Sequence, residues 1–165
     1  MKRFAISLAL IGFSIYANAQ DTIVKSVHLD SLIVKEINQY RATLGVPSIK
    51  IFEYGEMRKI SYALTEANSN REFIEHSKGD KLFVGYNSEC IFRYKTTQTD
   101  SFKLTETQFQ ELAKRTVQAW INSPNHYWII SCPLAQSCTV TTVIKKRGKN
   151  FSLTVSYHAK NKSIK

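Results

Sequence analysis

The side chains of this sequence that could react or bind a metal include three cysteines and four histidines. Cysteines form disulfides in oxidising compartments, and thiolates and imidazoles serve as nucleophiles or metal ligands. Cys132 and Cys138 enclose a short proline-containing segment and are the preferred disulfide pair, although a bond from Cys90 to either stays open. Paired Cys-x-x-Cys units are missing from the sequence, which excludes a structural zinc site of that type. The cysteine left over is either reactive or, more commonly, buried and inert.

A nucleophilic enzyme is not indicated, because no serine or cysteine lies in a recognisable nucleophile motif. Cys90 adjoins Glu89, but neighbouring residues of a strand point to opposite faces, which argues against a Cys–His nucleophile. His28 precedes the first predicted helix and is expected to be solvated. His158 lies near the end of the last predicted strand and is expected to be structural.

Residues 1–19 have the pattern of a secretory signal peptide. Lys2 and Arg3 precede an apolar run of about 13 residues, and Ala17-Asn18-Ala19 supplies a small-x-small cleavage site. The run is too short to span a bilayer comfortably. We therefore expect a mature chain from Gln20 that is secreted or periplasmic and not transmembrane, with an uncleaved N-terminal anchor as the alternative.

The chain is strongly basic. It has 23 Lys and Arg against 13 Asp and Glu, and loss of Lys2 and Arg3 would leave 21 basic residues and a net charge of +8. Such an excess favours anionic partners such as membrane headgroups and acidic glycans. Positive charge clusters at Lys145-Lys146-Arg147-Gly148-Lys149, where a solvated hairpin tip is the simplest interpretation. Nucleic acid is not expected, since no recognised module or aromatic platform accompanies the cluster.

The elements that must position these residues belong to one domain, given 165 residues. Helical spacing of apolar residues predicts helices over 28–43, 53–68 and 105–120, and a capping box at Thr105–Gln108 supports the last of them. The first helix is expected to be capped by Asp30 or Ser31. The last is expected to stop at Ser123-Pro124-Asn125. Strands are predicted over 84–94, 139–145 and 151–158, the last two as an antiparallel hairpin. This order predicts an α+β fold, a three-layer α-β-α sandwich with a small, mainly antiparallel sheet.

Five segments in order carry a family pattern. They are Glu36-Ile37-Asn38-Gln39-Tyr40-Arg41, the apolar residues Leu64 and Ala67, Glu75-His76-Ser77, Ser88-Glu89-Cys90-Ile91, and Trp120-Ile121-Asn122-Ser123-Pro124-Asn125-His126 followed by Pro133. Together they resemble the CAP superfamily, also called SCP-like domains, which includes the cysteine-rich secretory proteins, antigen 5 and the pathogenesis-related 1 proteins. The likeness predicts a CAP/SCP-like domain over residues 30–159, an N-terminal lead over 20–29 and a tail over 160–165.

The resemblance implies a cleft formed by His76, Glu89 and His126. Two imidazoles and a carboxylate can hold zinc or another divalent cation in an open tetrahedral site. Alternatively, the three groups hydrogen-bond to one another and brace loops. Tyr127 and Trp128, next to His126, are candidate walls for an apolar ligand, although ordinary packing is the simpler interpretation.

The resemblance also implies an exported binding domain rather than an enzyme, with a sterol or fatty acid, an anionic surface or an extracellular protein as partner. The first alternative is a metal-dependent hydrolase or protease in which Glu89 activates a metal-bound water. The second is a protein-interaction module without a small ligand. No acid between Trp120 and His126 matches the second cleft glutamate of larger CAP proteins, which disfavours the hydrolase.

Overall fold

The computed structural model describes residues 21–51, 55–76, 88–97, 104–147 and 149–161. Its elements are, in chain order, β1 (Thr22–Lys25), α1 (Val27–Thr43), β2 (Lys50–Ile51), α2 (Gly55–Asn70), β3 (Ser88–Thr97), α3 (Glu106–Ile121), α4 (Pro124–Ser131), β4 (Ala135–Arg147) and β5 (Asn150–Asn161). The predicted signal peptide, the start of the predicted second helix and the first residues of the predicted strand 84–94 lie outside the described residues.

The sheet is built around the long hairpin of β4 and β5. Its strand order is β1-β4-β5-β3, with antiparallel neighbours, and β2 runs parallel to β4. β1 and β2 share one edge of β4, since β1 pairs with residues 143–146 and β2 with residues 137–138. β3 forms the opposite edge of the sheet along β5. The mainly antiparallel sheet predicted from the sequence is confirmed.

Helices cover both faces of the sheet, which confirms the α-β-α sandwich. α1 and α3 pack together on one face, over an apolar core that includes Ile33, Ile37, Trp120, Leu153 and Tyr157. α2 packs against β4 and β5 on the other face. There the sheet presents buried hydroxyl groups together with a histidine, His158. Because side chains alternate between the two faces of a strand, each strand contributes side chains to the layers on both sides of the sheet.

The helix boundaries follow local chemistry. The predicted capping box of α3 is present, with the Thr105 hydroxyl accepting from Gln108 N and the Gln108 side chain accepting from Thr105 N. The cap predicted for α1 is wrong: Ser26, not Asp30 or Ser31, accepts from Leu29 N at 3.2 Å. Asp30 is instead buried, with its carboxylate accepting from the Tyr62 hydroxyl at 2.6 Å.

Three elements were not predicted. β1 and β2 have four and two residues, too few for a periodic pattern to stand out. β1 and the start of α1 lie within residues 20–29, where the sequence suggested only a lead. The segment Ser123–Asn125 was expected to stop a helix, and α3 does end just before it. The same segment also starts α4, because proline is well tolerated at the first position of a helix, where no N–H is needed.

None of the helices that the structure describes has both the length and the apolar character needed to cross a bilayer.

Candidate functional site

Glu89 is the centre of a hydrogen-bonded group at one end of the sheet. Its Oε2 lies 3.0 Å from His76 Nδ1, and its Oε1 lies 3.0 Å from His158 Nε2. Glu89 and His158 are direct partners in the β3–β5 register, so their side chains lie on the same sheet face. A carboxylate only accepts hydrogen bonds, and both imidazoles therefore donate to it when Glu89 is ionised.

His126 completes the cleft from the other side. It lies in α4, and its ring centroid is 5.8 Å from that of His76. Burial, and secondarily the nearby His76, hold the pKa of His126 below its ordinary value. His126 is therefore a neutral imidazole at pH 7. The structure thus brings together His76, Glu89 and His126, which we call the histidine cleft.

His158 is the residue that the sequence analysis missed. It is 2% exposed, and its second ring nitrogen, Nδ1, lies 3.1 Å from Ser61 Oγ. Ser61 in turn contacts Thr141 Oγ1 at 2.8 Å, and Thr65 Oγ1 lies 2.8 Å from the same oxygen. A chain of polar contacts therefore runs from the cleft carboxylate into the layer between α2 and the sheet.

The order Ser61–His158–Glu89 matches a serine-hydrolase triad in its residue types, but not in its exposure. Ser61 is 1% exposed, and its hydroxyl is enclosed between α2 and the sheet. A nucleophile must reach the scissile bond of its substrate. In this position Ser61 holds the ring of His158, which is a structural role.

The loop after α2 presents His76, and it is fixed by two side chains. The Asn68 side chain donates to Glu75 O at 3.1 Å and accepts from Glu75 N at 3.0 Å. The Arg93 guanidinium on β3 donates to the backbone oxygens of Asn68, Arg71 and Glu72. His76 is thereby held next to Glu89 although its side chain remains 55% exposed.

The motif residues of α1 hold two backbone segments, the end of α4 and the residue before β2. Arg41 is fully buried, and its Nη1 donates to the carbonyls of Ile130 and Cys132 at 2.8 and 3.0 Å. Asn38 pairs in both directions with the backbone of Ile49, at 2.9 and 2.8 Å. Arg41 therefore anchors the end of the helix that carries His126.

Two aromatic side chains follow His126 on α4. Tyr127 is half-buried and makes an edge contact with Tyr40, while Trp128 is 73% exposed. The Tyr127 and Trp128 rings also meet edge to face, with centroids 5.8 Å apart. Trp128 is therefore a large exposed apolar surface on α4, the helix that also carries His126.

The predicted Cys132–Cys138 disulfide is wrong. All three cysteines lie within the described residues and are free. A turn at residues 133–134, closed by Ala135 N donating to Cys132 O at 3.2 Å, leads from Cys132 into β4. Cys138 is fully buried in the apolar core, and Cys132 lies half-buried at the end of α4.

Cys90 is also an inert thiol. It lies in the apolar core, on the sheet face opposite to Glu89, with its Sγ 3.9 Å from His126 O. Burial raises the pKa of this thiol, and the neighbouring Glu89 charge adds to the effect. A Cys–His nucleophile is therefore not formed.

The expected metal ligands do not form a three-ligand site. Among the residues that the structure describes, which include His76, Glu89 and His126, no group of three His, Cys, Asp or Glu side chains is arranged to hold a metal ion. Both oxygens of Glu89 are already engaged by imidazoles. In this arrangement Glu89 orients His76 and His158.

Three solved structures are similar to the structure of this chain. An outer surface protein from Borrelia burgdorferi matches with a TM-score of 0.57 and 16% identity, over 87% of this chain and 100% of that chain. An extracellular protein containing an SCP domain from Bacillus anthracis str. Ames matches with a TM-score of 0.46 and 11% identity, over 81% of this chain and 40% of that one. Na-ASP-1 matches with a TM-score of 0.43 and 13% identity, over 78% and 38%.

At these identities the likeness concerns the fold alone. A protein containing an SCP domain is among these similar structures. The chain spans about two fifths of the length of that SCP-domain protein and of Na-ASP-1. No family model and no curated protein matches this sequence.

Proposed function

We propose that this protein is an exported CAP-like binding domain, without enzymatic activity, whose histidine cleft and Trp128 bind a fatty acid. The observation that carries the proposal is the 73% exposed Trp128 on α4, the same helix that carries the cleft histidine His126. A fatty acid has a carboxylate that can accept a hydrogen bond from the His126 imidazole and an apolar chain for the aromatic rings. The family motifs and the signal-like residues 1–19 support an extracellular or periplasmic location.

Binding is favoured over hydrolysis by how the polar groups are engaged. Both Glu89 oxygens accept from imidazoles at 3.0 Å, and the side chain is only 12% exposed, so little of the carboxylate is accessible to a water or a substrate proton. The candidate nucleophiles Ser61 and Cys90 are both buried. In the hydrolase alternative, Glu89→Gln would abolish activity against ester or peptide substrates.

Tryptophan fluorescence tests the proposal, because Trp120 is 1% exposed and Trp128 is 73% exposed. Oleate is titrated into the mature protein, with cholesterol as the sterol probe. We expect a saturable one-to-one change with oleate. By calorimetry, Trp128→Ala should weaken oleate binding about tenfold, the effect of losing about 1.4 kcal/mol of apolar contact.

Val27→Ala is the matched control, since Val27 is a 55% exposed apolar residue at the start of α1. It should leave oleate binding unchanged. Saturable binding of cholesterol alone would replace the fatty acid by a sterol. If neither probe binds saturably, the small-ligand proposal fails and a protein-interaction module remains.

Zinc is the second candidate ligand, favoured by the two imidazoles of His76 and His126 with ring centroids 5.8 Å apart. The low pKa of His126 keeps this ring neutral and able to ligate at pH 7. Calorimetric titration of zinc into chelator-stripped protein tests it, beside His76→Ala and His126→Ala. One-to-one binding lost in both variants supports a metal site, whereas no heat assigns these histidines to bracing the loops.

A further inference from the structure

An open groove lies at the end of the sheet opposite to the histidine cleft. It is formed where α2 ends, above the tip of the β4–β5 hairpin and the last residues of β3. On β3, Thr96 in the groove is seven residues from Glu89, about 23 Å along an extended strand. The groove is therefore separate from the cleft, and a ligand there would not depend on the function proposed above.

Positive side chains from three parts of the chain line this basic groove. Arg71 comes from the loop after α2, Lys95 from β3, and Lys145 and Arg147 from β4. Glu72 is the carboxylate among the lining residues. The charge cluster that the sequence placed at a hairpin tip is thus joined by Arg71 and Lys95, which are distant from it in sequence.

Part of the positive charge is held in position. Lys145 Nζ lies 2.8 Å from Asp21 Oδ2 and 2.7 Å from Asn70 Oδ1, with the side chain 19% exposed. Arg147 is 71% exposed at 3.7 Å from Asp21, and Arg71 is paired with Glu75 at 2.6 Å. An anionic ligand would share these cations with Asp21 and Glu75. The Arg71–Glu75 pair is exposed and contributes little to stability, whereas the Lys145–Asp21 pair is partly buried.

The uncharged lining residues indicate what kind of anion fits. They are hydroxyl and amide side chains, which pair with sugar hydroxyls in both donor and acceptor roles: Ser69, Asn70, Thr96, Thr97, Asn150 and Ser152. The one apolar lining residue among those described, Phe151, is 3% exposed and offers nothing to insert into a bilayer. The concave surface also fits a polymer that lies along it better than it fits a flat membrane surface.

We infer that the basic groove is a binding site for an acidic polysaccharide, a chain bearing sulfate or uronate groups. Cations along both sides would contact successive anionic groups, and the hydroxyl and amide groups would contact the sugar rings between them. The net charge of the mature chain, +8 after loss of Lys2 and Arg3, adds long-range attraction, while the groove gives the binding a fixed position.

The test compares two variants with the same change in net charge. Lys95→Glu with Arg147→Glu alters the groove, and Lys35→Glu with Lys114→Glu alters exposed positions on α1 and α3, across the sheet. Binding of a heparin octasaccharide to the mature protein is measured at 0.15 M NaCl, with neutral dextran as the negative probe. We expect the groove variant to bind at least about tenfold more weakly and the control variant less than about threefold.

Three outcomes would overturn the inference. An equal loss in both variants would mean that net charge, not the groove, retains the polysaccharide. No binding of the octasaccharide by the unaltered protein would remove the site. Binding of phosphatidylglycerol vesicles through the groove cations, without binding of the octasaccharide, would make this surface a membrane contact. Thermal midpoints of both variants confirm that each remains folded.

Discussion

Asp30 shows how one buried carboxyl ties two layers together. It lies in the first turn of α1 at 2% exposure and accepts from the Tyr62 hydroxyl at 2.6 Å and from Arg58 at 3.0 Å, both on α2. Burial raises the pKa of Asp30 to about 6, and the hydrogen bonds from Tyr62 and Arg58 only partly oppose this rise. The carboxylate connects α1 to α2 past the edge of the sheet, but its charge is costly at neutral pH.

Replacing this carboxyl should change how stability depends on pH. Between about pH 4 and 6 the folded protein holds a proton on Asp30 that the unfolded chain has lost, so Asp30 makes stability fall as pH rises through this window. The full effect is about 3 kcal/mol. In Asp30→Asn this fall should disappear, as measured by urea unfolding at pH 4 and pH 7. Glu111→Gln, at an exposed position on α3, is the control. Identical pH profiles for Asp30→Asn and the unaltered protein would contradict the prediction.

At the scale of elements, the cleft depends on a loop that is held by its neighbours. The loop after α2 reaches His76 with exposed side chains, and Phe73 in it is 74% exposed. Packing therefore contributes little to its order. Arg93, on the adjacent edge strand, donates instead to three backbone oxygens at the end of α2 and the start of the loop.

Arg93→Met should loosen this loop without unfolding the sheet. Methionine keeps much of the side-chain volume but leaves three carbonyl groups without their charged donor, at a local cost of about 1–3 kcal/mol. Hydrogen exchange should show protection at the C-terminal turn of α2 and the loop falling about tenfold or more. Amides of the β4–β5 hairpin should be unchanged. Arg115→Met, on the exposed side of α3, should leave both regions unaltered, and the same result for Arg93→Met would refute a bracing role.

At the scale of the whole molecule, stability comes from packing and not from covalent cross-links. Cys90 and Cys138 belong to the apolar core between the sheet and the α1–α3 layer, and burial raises the pKa of both thiols. A neutral, enclosed thiol reacts slowly with disulfides. The free state of these cysteines is therefore compatible with an oxidising compartment.

Reducing agents should consequently leave thermal stability unchanged. In denaturant, a thiol reagent should titrate three groups per chain of the purified mature protein, since all three cysteines are free. In the folded protein, Cys132, which is half-buried, should react before the two buried cysteines. One titratable thiol in denaturant, or a thermal midpoint that falls on reduction, would show that a disulfide does form.

The sequence by itself determined the elements whose causes are local. The capping box at Thr105 and the alternation in β4 and β5 act within a few residues, so they predicted α3, the hairpin and the sandwich class. The motifs also indicated which side chains belong to the cleft, because their order along the chain was sufficient for a resemblance. Short elements such as β2 could not be predicted, since two residues carry no period.

Only the tertiary structure determined which side chains of the site contact one another. His158 faces Glu89 because β3 pairs with β5 in one register, and a shift of one residue would turn His158 to the other face. The sequence cannot fix that register, since β3 and β5 lie about 70 residues apart in the chain and a long connection imposes no pairing. In the same way, only the tertiary structure showed that Cys132 and Cys138 are free thiols and that Arg71, Lys95 and Arg147 meet in the basic groove. Contacts between distant segments depend on packing, which no local pattern records.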